Sequence, residues 1–212
     1  MKVTVIGLGY IGLPTAILLA KSGIQVLGVD INEGYLLKIN NNELISKEEN
    51  LKEYLIEVIN NKSFKTQKTI EKSDTFIIVV PTPIDNEKKP DTSCVNDVIV
   101  QLAPILEEEN LVIIESTCPV GTTKKFSDIL FKKRPDLKDK LNIAYCPERV
   151  IPGNIFKELI QNDRIIGGIN SESSKKAGLF YKTFVKGEIY LTDSNTAELC
   201  KLTENASRDA QI

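Results

Sequence analysis

Short apolar runs rich in β-branched residues recur along the chain at residues 3–6, 25–29, 75–80, 111–114, 142–145, 164–166 and 189–191. A run that is apolar at nearly every position belongs to a strand buried on both faces, as in a parallel sheet covered by helices. Between these runs the apolar spacing changes to three and four, which predicts helices over residues 10–22, 33–40, 51–60, 94–108, 122–132, 172–185 and 194–212. Strand alternating with helix predicts an α/β fold with a doubly wound parallel sheet. Residues 40–50 and 83–93, rich in Asn, Lys, Asp and Pro, read as loops.

The first strand and helix are joined by Gly7-x-Gly9-x-x-Gly12, and the second strand is closed by Asp30, 23 residues after Gly7. Gly7 permits the tight turn, Gly9 lets a pyrophosphate approach the backbone, and Gly12 lets helix and strand pack closely. The helix N-terminus then offers an anion site. Asp30 is placed to accept hydrogen bonds from ribose hydroxyls and to repel a 2′-phosphate, so NAD is the expected cofactor. A glycine turn alone is common in α/β proteins; strand, helix, second strand and acid in register give this one its force. Residues 1–193 are therefore expected to form a Rossmann-like NAD-binding domain, and residues 194–212 the start of a long linking helix.

Composition narrows the chemistry. With 212 residues, 42% hydrophobic and 26% charged, the chain can bury a full core. A net charge of −2 with interspersed signs suggests neither a nucleic-acid surface nor a polybasic membrane patch. Residues 1–6 already read as a strand, leaving no room for a signal peptide, and no apolar stretch reaches the length of a membrane span. Cys94, Cys118, Cys146 and Cys200 are widely spaced, without the pattern of a disulfide framework or a zinc site, so no metal and a reducing cytoplasm are expected. The absence of histidine removes the commonest general base, leaving Lys, Asp, Glu, Cys or water for acid-base work.

Ligands in open parallel sheets sit at the carboxyl ends of the strands, so the loops there matter most. Pro81-Thr82-Pro83 fixes the backbone of Thr82 and presents its hydroxyl at the sheet edge, although a turn that stops the strand is the plainer use of two prolines. Residues 115–122 bring hydroxyls and a glycine to a helix N-terminus; Thr122 or Thr123 would suffice as a cap, and the density of hydroxyls favours ligand contact over a cap alone. Residues 146–154 set Glu148 beside Arg149, and an exposed ion pair between the two is the plainer alternative to a ligand site. In the last helix, with Ser194 or Asn195 as its cap, Lys201, Asn205 and Arg208 share one face beside an apolar strip of Leu199, Leu202 and Ala206. Lys201 and Asn205 could polarise one oxygen together, and spacing alone does not separate that from a solvated polar face.

Gly7-Leu8-Gly9-Tyr10-Ile11-Gly12-Leu13-Pro14, Val80-Pro81-Thr82-Pro83, the run from Ser116 through Cys118-Pro119-Val120-Gly121 to Thr122, Cys146-Pro147-Glu148-Arg149-Val150-Ile151-Pro152-Gly153-Asn154, and the stretch from Ala197 through Lys201 to Asn205 together resemble the UDP-glucose/UDP-mannose dehydrogenase family. The Cys-Pro-Glu-Arg-Val-Ile-Pro-Gly form is similar to the UDP-N-acetylmannosamine branch; UDP-glucose members tend to carry Ser-Pro-Glu-Phe-Leu-Arg-Glu, whose second glutamate is replaced here by Pro152. The resemblance implies oxidation of a sugar C6 alcohol to a carboxylate with two NAD, through an aldehyde and a cysteine thioester. By position, it implies that Tyr10, Ile11, Asp30, Thr82 and Thr117 contact NAD. It likewise implies that Arg149, Val150, Lys201, Asn205 and Arg208 meet the UDP-sugar. Lys201 would be the acid-base residue, Asn205 its partner at the oxyanion, and Glu148 a support for the catalytic water. A homodimer joined through the linking helix is implied as well.

The family's nucleophilic cysteine lies in a Gly-x-Cys-x-Pro motif downstream of the Lys/Asn helix, and the chain stops at Ile212 within that helix. None of the four cysteines has that context, and all read as small buried or half-buried residues. The expectation is a cofactor-binding half, inactive alone, with Leu199 and Leu202 short of their full packing partners. UDP-N-acetylglucosamine or UDP-glucose as substrate, or an NAD-binding module without chemistry, are the alternatives.

Overall fold

The computed structural model describes residues 1–44, 48–151 and 153–211, so Pro152 and part of the 40–50 loop lie outside it. The first half of the chain forms β1 (Lys2–Ile6), α1 (Gly12–Lys21), β2 (Gln25–Val29), α2 (Glu33–Asn40), α3 (Leu51–Asn60), β3 (Phe64–Gln67), β4 (Thr75–Ile78) and α4 (Ser93–Leu102). The second half forms β5 (Leu111–Ile114), α5 (Thr122–Lys133), β6 (Asn142–Tyr145), α6 (Ile155–Gln161), β7 (Arg164–Gly168), α7 (Ser171–Tyr181), β8 (Ile189–Asp193) and α8 (Ser194–Gln211). A 3₁₀ turn at Pro135–Leu137 joins α5 to β6.

The strands make one sheet in the order β3-β2-β1-β4-β5-β6-β7-β8. From β3 to β6 every pairing is parallel, as the continuous apolar runs require. The last pair departs from an all-parallel sheet: β7 runs antiparallel to β6, with Ala144 opposite Gly168 and Tyr145 opposite Gly167, and β8 is parallel to β7. Successive side chains point to opposite faces, so each central strand feeds two core layers. Leu111, Ile113, Ala144 and Cys146 enter the layer beneath α1, α3, α6 and α7. Val112, Ile114, Ile143 and Tyr145 enter the layer beneath α4 and α5.

The differences from the sequence pattern have local causes. Strand β3 escapes the pattern because only Phe64 is buried on this edge strand. Helix α6 is only 7 residues long, too short to show a period. Helix α4 stops at Leu102 rather than 108 because Pro104 follows: Ala103 still has helical backbone angles, but the proline has no amide to continue the ladder and its ring crowds the preceding turn. Helix α8 is capped by Asp193, not by Ser194 or Asn195: the Asp193 carboxylate accepts from the Thr196 amide at 3.0 Å.

The crossing of α1 over β1 fixes the loop between them. A Cβ on Gly12 would stand 1.8 Å from the Gly7 carbonyl oxygen, and one on Gly7, whose φ is +91°, would stand 2.5 Å from the Val79 carbonyl oxygen. Neither obstacle is a side chain that can swing away. Gly12→Ala is accordingly expected to cost about 3 kcal/mol or more, read in thermal unfolding as a fall in Tm of roughly 6–12 °C; an unchanged Tm would contradict the crossing described.

Candidate functional site

Strand order reverses between β1 and β4, and a cleft of about 590 Å³ opens at the carboxyl ends of those strands. Its floor is the β1–α1 loop. Gly9 has nothing within 4 Å of where a Cβ would project, which leaves the backbone open to a ligand. The N-terminus of α1 carries no side-chain cap, so its dipole is free to meet an anion. Gly7, Gly9, Tyr10, Ile11, Asp30, Thr82 and Thr117 all line the cleft. Gly12 does not; its place is in the helix crossing.

The loops around the cleft are laced together by their own polar groups. Asp30 accepts from the Leu8 amide and the Asn32 amide, each at 2.9 Å, which fixes its carboxylate at the end of β2. Thr82 donates its hydroxyl to the Thr117 carbonyl at 2.6 Å, and Ser116 donates to the Val80 carbonyl at 2.7 Å. The Thr82 hydroxyl is therefore tied between two loops rather than free at the edge. Sequence reasoning missed the far wall, formed by Cys94, Asp97, Val98 and Gln101 of α4. Their spacing of three and four was the available signal.

A second group of residues adjoins the cleft. Glu148 lines the cleft but does not pair with Arg149. Instead Lys201 of α8 donates to the Glu148 carbonyl at 2.6 Å and to its carboxylate at 3.0 Å, with the ammonium side chain 5% exposed. Arg149 pairs with Glu204 at 2.5 Å. Arg149, Glu204 and Arg208 line a hollow of about 620 Å³ whose wall also includes Asn162. Asn205 is half-buried one turn beyond Lys201 and lines neither cavity. Val150 lies in the core layer, and its amide donates to the Glu148 carboxylate at 2.9 Å.

The buried face of α8 is not the expected leucine strip. Ser194, Ala197, Glu198 and Lys201 are buried, whereas Leu199 is 55% exposed and Ala206 faces outward. Glu198, fully buried, caps α5: its carboxylate accepts from the amides of Gly121 at 2.6 Å and Thr123 at 2.7 Å and from the Thr123 hydroxyl at 2.6 Å. Thr123 thus binds the capping group instead of supplying it.

Two further clusters were invisible in the sequence. Beneath the cleft, Tyr181 donates to the buried Glu115 carboxylate at 2.5 Å, and the Arg164 guanidinium stands over the Tyr181 ring, 5.4 Å from its centroid. Burial pushes the Glu115 carboxyl above its ordinary range, against the opposing pull of Arg164 and the Tyr181 hydroxyl. Burial likewise pushes the thiols of Cys118 and Cys146 up to about 12, which keeps both protonated. Beside the cleft, in an adjoining hollow that shares Gly9 and Tyr10 with it, the Glu48 carboxylate accepts from the Tyr10 hydroxyl, from the Gly153 amide at 2.8 Å and from the Ile155 amide at 3.3 Å.

A sheet of this order, with a glycine turn at the reversal and an acid closing β2, defines a dinucleotide-binding domain of the Rossmann class. The chain belongs to the UDP-glucose/GDP-mannose dehydrogenase family: the model of that family's NAD-binding domain matches residues 1–185. A UDP-N-acetyl-D-mannosamine dehydrogenase of Methanococcus vannielii is 50% identical over 100% of this chain and 49% of its own length. The UDP-D-ManNAc dehydrogenase structure from Pyrococcus horikoshii superposes with a TM-score of 0.93 at 41% identity, over 99% of this chain and 51% of that one. A UDP-N-acetyl-mannosamine dehydrogenase from Staphylococcus aureus gives 0.90 at 40% identity, over 99% and 52%. The chain spans about half the length of the curated relatives it matches. Among the described residues no helix is long and apolar enough to cross a membrane, and no group of three or more His, Cys, Asp or Glu is placed to hold a metal ion.

Glu48 gives the site a pH dependence whose sign can be derived. Burial raises its pKa, but the Tyr10 hydroxyl and the two amides outweigh burial, and the net value falls below the ordinary 4.5. A carboxylate lowered by folding contributes stability that is complete above its unfolded value and is lost as pH falls through the folded one. Glu48→Gln is expected to lower the Tm at pH 7, with the gap to the parent closing below about pH 4; thermal scans in which the gap widens toward acid would contradict this assignment.

Proposed function

We propose that this chain is the cofactor-binding half of an NAD-dependent UDP-sugar 6-dehydrogenase, and that its substrate is UDP-N-acetylmannosamine, oxidised at C6 to the carboxylate with two NAD. The observation that carries the reading is the buried Lys201–Glu148 pair, 3.0 Å across, standing beside a cleft built for a dinucleotide. NAD, when bound, supplies the hydride acceptor. The residues of the chain do the rest of the work on this side of the site. Gly9 and the N-terminus of α1 receive the pyrophosphate, Asp30 takes the ribose hydroxyls, and Tyr10, Ile11, Thr82 and Thr117 enclose the cofactor.

Lys201, desolvated and held by Glu148, serves as the acid-base group: its neutral amine takes the proton of a sugar hydroxyl, and the ammonium so formed can return it. Asn205 adds an amide donor to the same oxygen, and Glu148 orients a water at the cleft wall. Arg149 and Arg208 present cations to the UDP moiety. The same reading makes the protein cytoplasmic and a homodimer joined through α8, whose Leu199 faces outward.

The cofactor assignment is tested by titration. Lys68, the one lysine or arginine among the described residues that line the cleft, is paired with Glu33 at 2.6 Å, so its charge is already partly offset where a 2′-phosphate would stand beside Asp30. NAD is expected to bind about tenfold or more tightly than NADP, and Asp30→Ala to lose most of that preference; equal affinities measured by calorimetry for the unmodified protein would sink it.

The chemical assignment is tested by product analysis. Purified chain incubated with NAD and UDP-N-acetylmannosamine is expected to yield no uronate, since Cys118 and Cys146 stay protonated and none of its cysteines lies in a Gly-x-Cys-x-Pro motif. Joined to the second half that the relatives possess, it is expected to make the uronate from that sugar in preference to UDP-N-acetylglucosamine or UDP-glucose, and Lys201→Ala to slow this about 10²-fold or more with NAD affinity little changed. Uronate made by the chain alone, or undiminished by Lys201→Ala, would overturn these roles.

A further inference from the structure

Glu48 stands outside every motif that marks the cofactor cleft, yet it touches two of the loops around it. Oε1 of its carboxylate accepts from the Tyr10 hydroxyl and also from the Gly153 amide at 2.8 Å, while Oε2 accepts from the Ile155 amide at 3.3 Å. Tyr10 belongs to the glycine turn, lines the cleft and is 50% exposed. Gly153 and Ile155 belong to the segment that follows Glu148 and Arg149 and enters α6. Glu48 itself is buried.

A group serving only to close the start of α6 needs the two amides and nothing more. This one has recruited a hydroxyl from the wall of the dinucleotide cleft, and has placed it on the same oxygen that holds Gly153. Two donors on one carboxylate oxygen are not independent. A shift of Tyr10 changes both the charge left for the Gly153 amide and the position of the carboxylate that carries it. On the other side, Arg149 and Ile151 are tied to α6, through the Asn162 side chain donating to the Arg149 carbonyl at 2.8 Å and the Ile151 amide donating to Glu158 at 2.7 Å. Val150 is tied to Glu148, and Glu148 to Lys201. The start of α6, which Glu48 holds, is thus linked through that helix and the bonds of Ile151, Arg149 and Val150 to the carboxylate proposed to work with Lys201.

We propose that Glu48 is a positioning residue that couples cofactor binding to the substrate side of the site: NAD settling against Tyr10 fixes the Tyr10–Glu48 contact, which in turn fixes Gly153, Ile155 and the Glu148–Arg149 segment. The proposal rests on the cleft being the NAD site and extends that reading to communication between the two ligands. Its chemistry needs no new group, only the transfer of order from one loop to another through a shared acceptor.

The test is amide hydrogen exchange on the protein with and without saturating NAD, followed in the peptide covering Gly153 and Ile155, beside calorimetric NAD titrations. In the unmodified protein NAD is expected to slow exchange there about fivefold or more, the lower end of ordinary coupling between sites. Tyr10→Phe removes one hydroxyl and keeps the ring; at an NAD concentration that its own titration shows to be saturating, it is expected to lose the NAD-dependent slowing. Glu48→Gln is expected to lose it as well. Slowing of equal size in Tyr10→Phe, or none in the unmodified protein at saturating NAD, overturns the coupling while leaving the cofactor site intact. Absence of NAD binding altogether overturns both readings. An effect that merely reflected a weakened fold would raise exchange in Tyr10→Phe without NAD throughout β1 and α1, and that result also counts against the proposal.

Discussion

A buried carboxylate at the head of a helix holds the two halves of the site together. Glu198 is fully buried, and an ionised carboxylate survives in such a place only when its oxygens are taken up by donors. The N-terminus of α5 supplies them, through the Gly121 and Thr123 amides and the Thr123 hydroxyl, with the helix dipole adding to the attraction. Because Glu198 has to be there, α8 is held at one rotation about its axis. One turn later, that rotation brings Lys201 to Glu148 rather than to solvent.

The same device recurs at several loops of the cofactor edge. Asp30 gathers the amides of Leu8 and Asn32, Glu48 those of Gly153 and Ile155, Glu148 that of Val150, and Glu158 that of Ile151. Loops around a cleft have little apolar surface with which to hold one another. Acidic side chains that collect backbone donors give them definite positions without filling the cavity. The floor below is built differently: Glu115 and Arg164 are both buried, with the Tyr181 side chain lying against each, and removing one of two such charges leaves the other uncompensated.

How much of this was legible depends on how far apart the partners lie in the chain. Strands β1, β2, β5 and β6 and the Gly7–Gly12 turn were readable because their signals are local: unbroken apolar runs, a glycine spacing, an acid at the end of β2. Of the cleft-lining residues, Asp30 and Thr82 stood out by their places after β2 and β4, whereas Tyr10, Ile11 and Thr117 were implied by the family resemblance alone. Strand β3 was not readable because an edge strand with one buried residue has no pattern. The partners of Glu148, Glu198 and Glu48 lie 53, 77 and 105 residues away in sequence, at Lys201, Gly121 and Gly153, and no local spacing encodes such pairings. The misplaced cap of α8 has the opposite cause: Asp193 was visible, but as the end of a strand it was passed over for the serine and asparagine after it.

The reversal of the last two strands sets the direction in which the molecule points. A helix that follows a strand turns back along it, so the helices after β1, β2, β4 and β5 begin at the cofactor edge and run away from it. Strands β7 and β8 run the other way, and α8 therefore climbs toward that edge, meeting Glu148 at Lys201 and continuing past it. From Lys201 to Gln211 the helix extends about 15 Å further, with Arg208 and its neighbours exposed. It stands as a cantilever anchored at its root by Glu198 and Lys201 and, a turn further on, by the Glu204–Arg149 pair. A lever of this kind turns a small rotation at the anchor into a displacement several times larger at the tip, so the buried charges at the base set the aim of everything the helix carries.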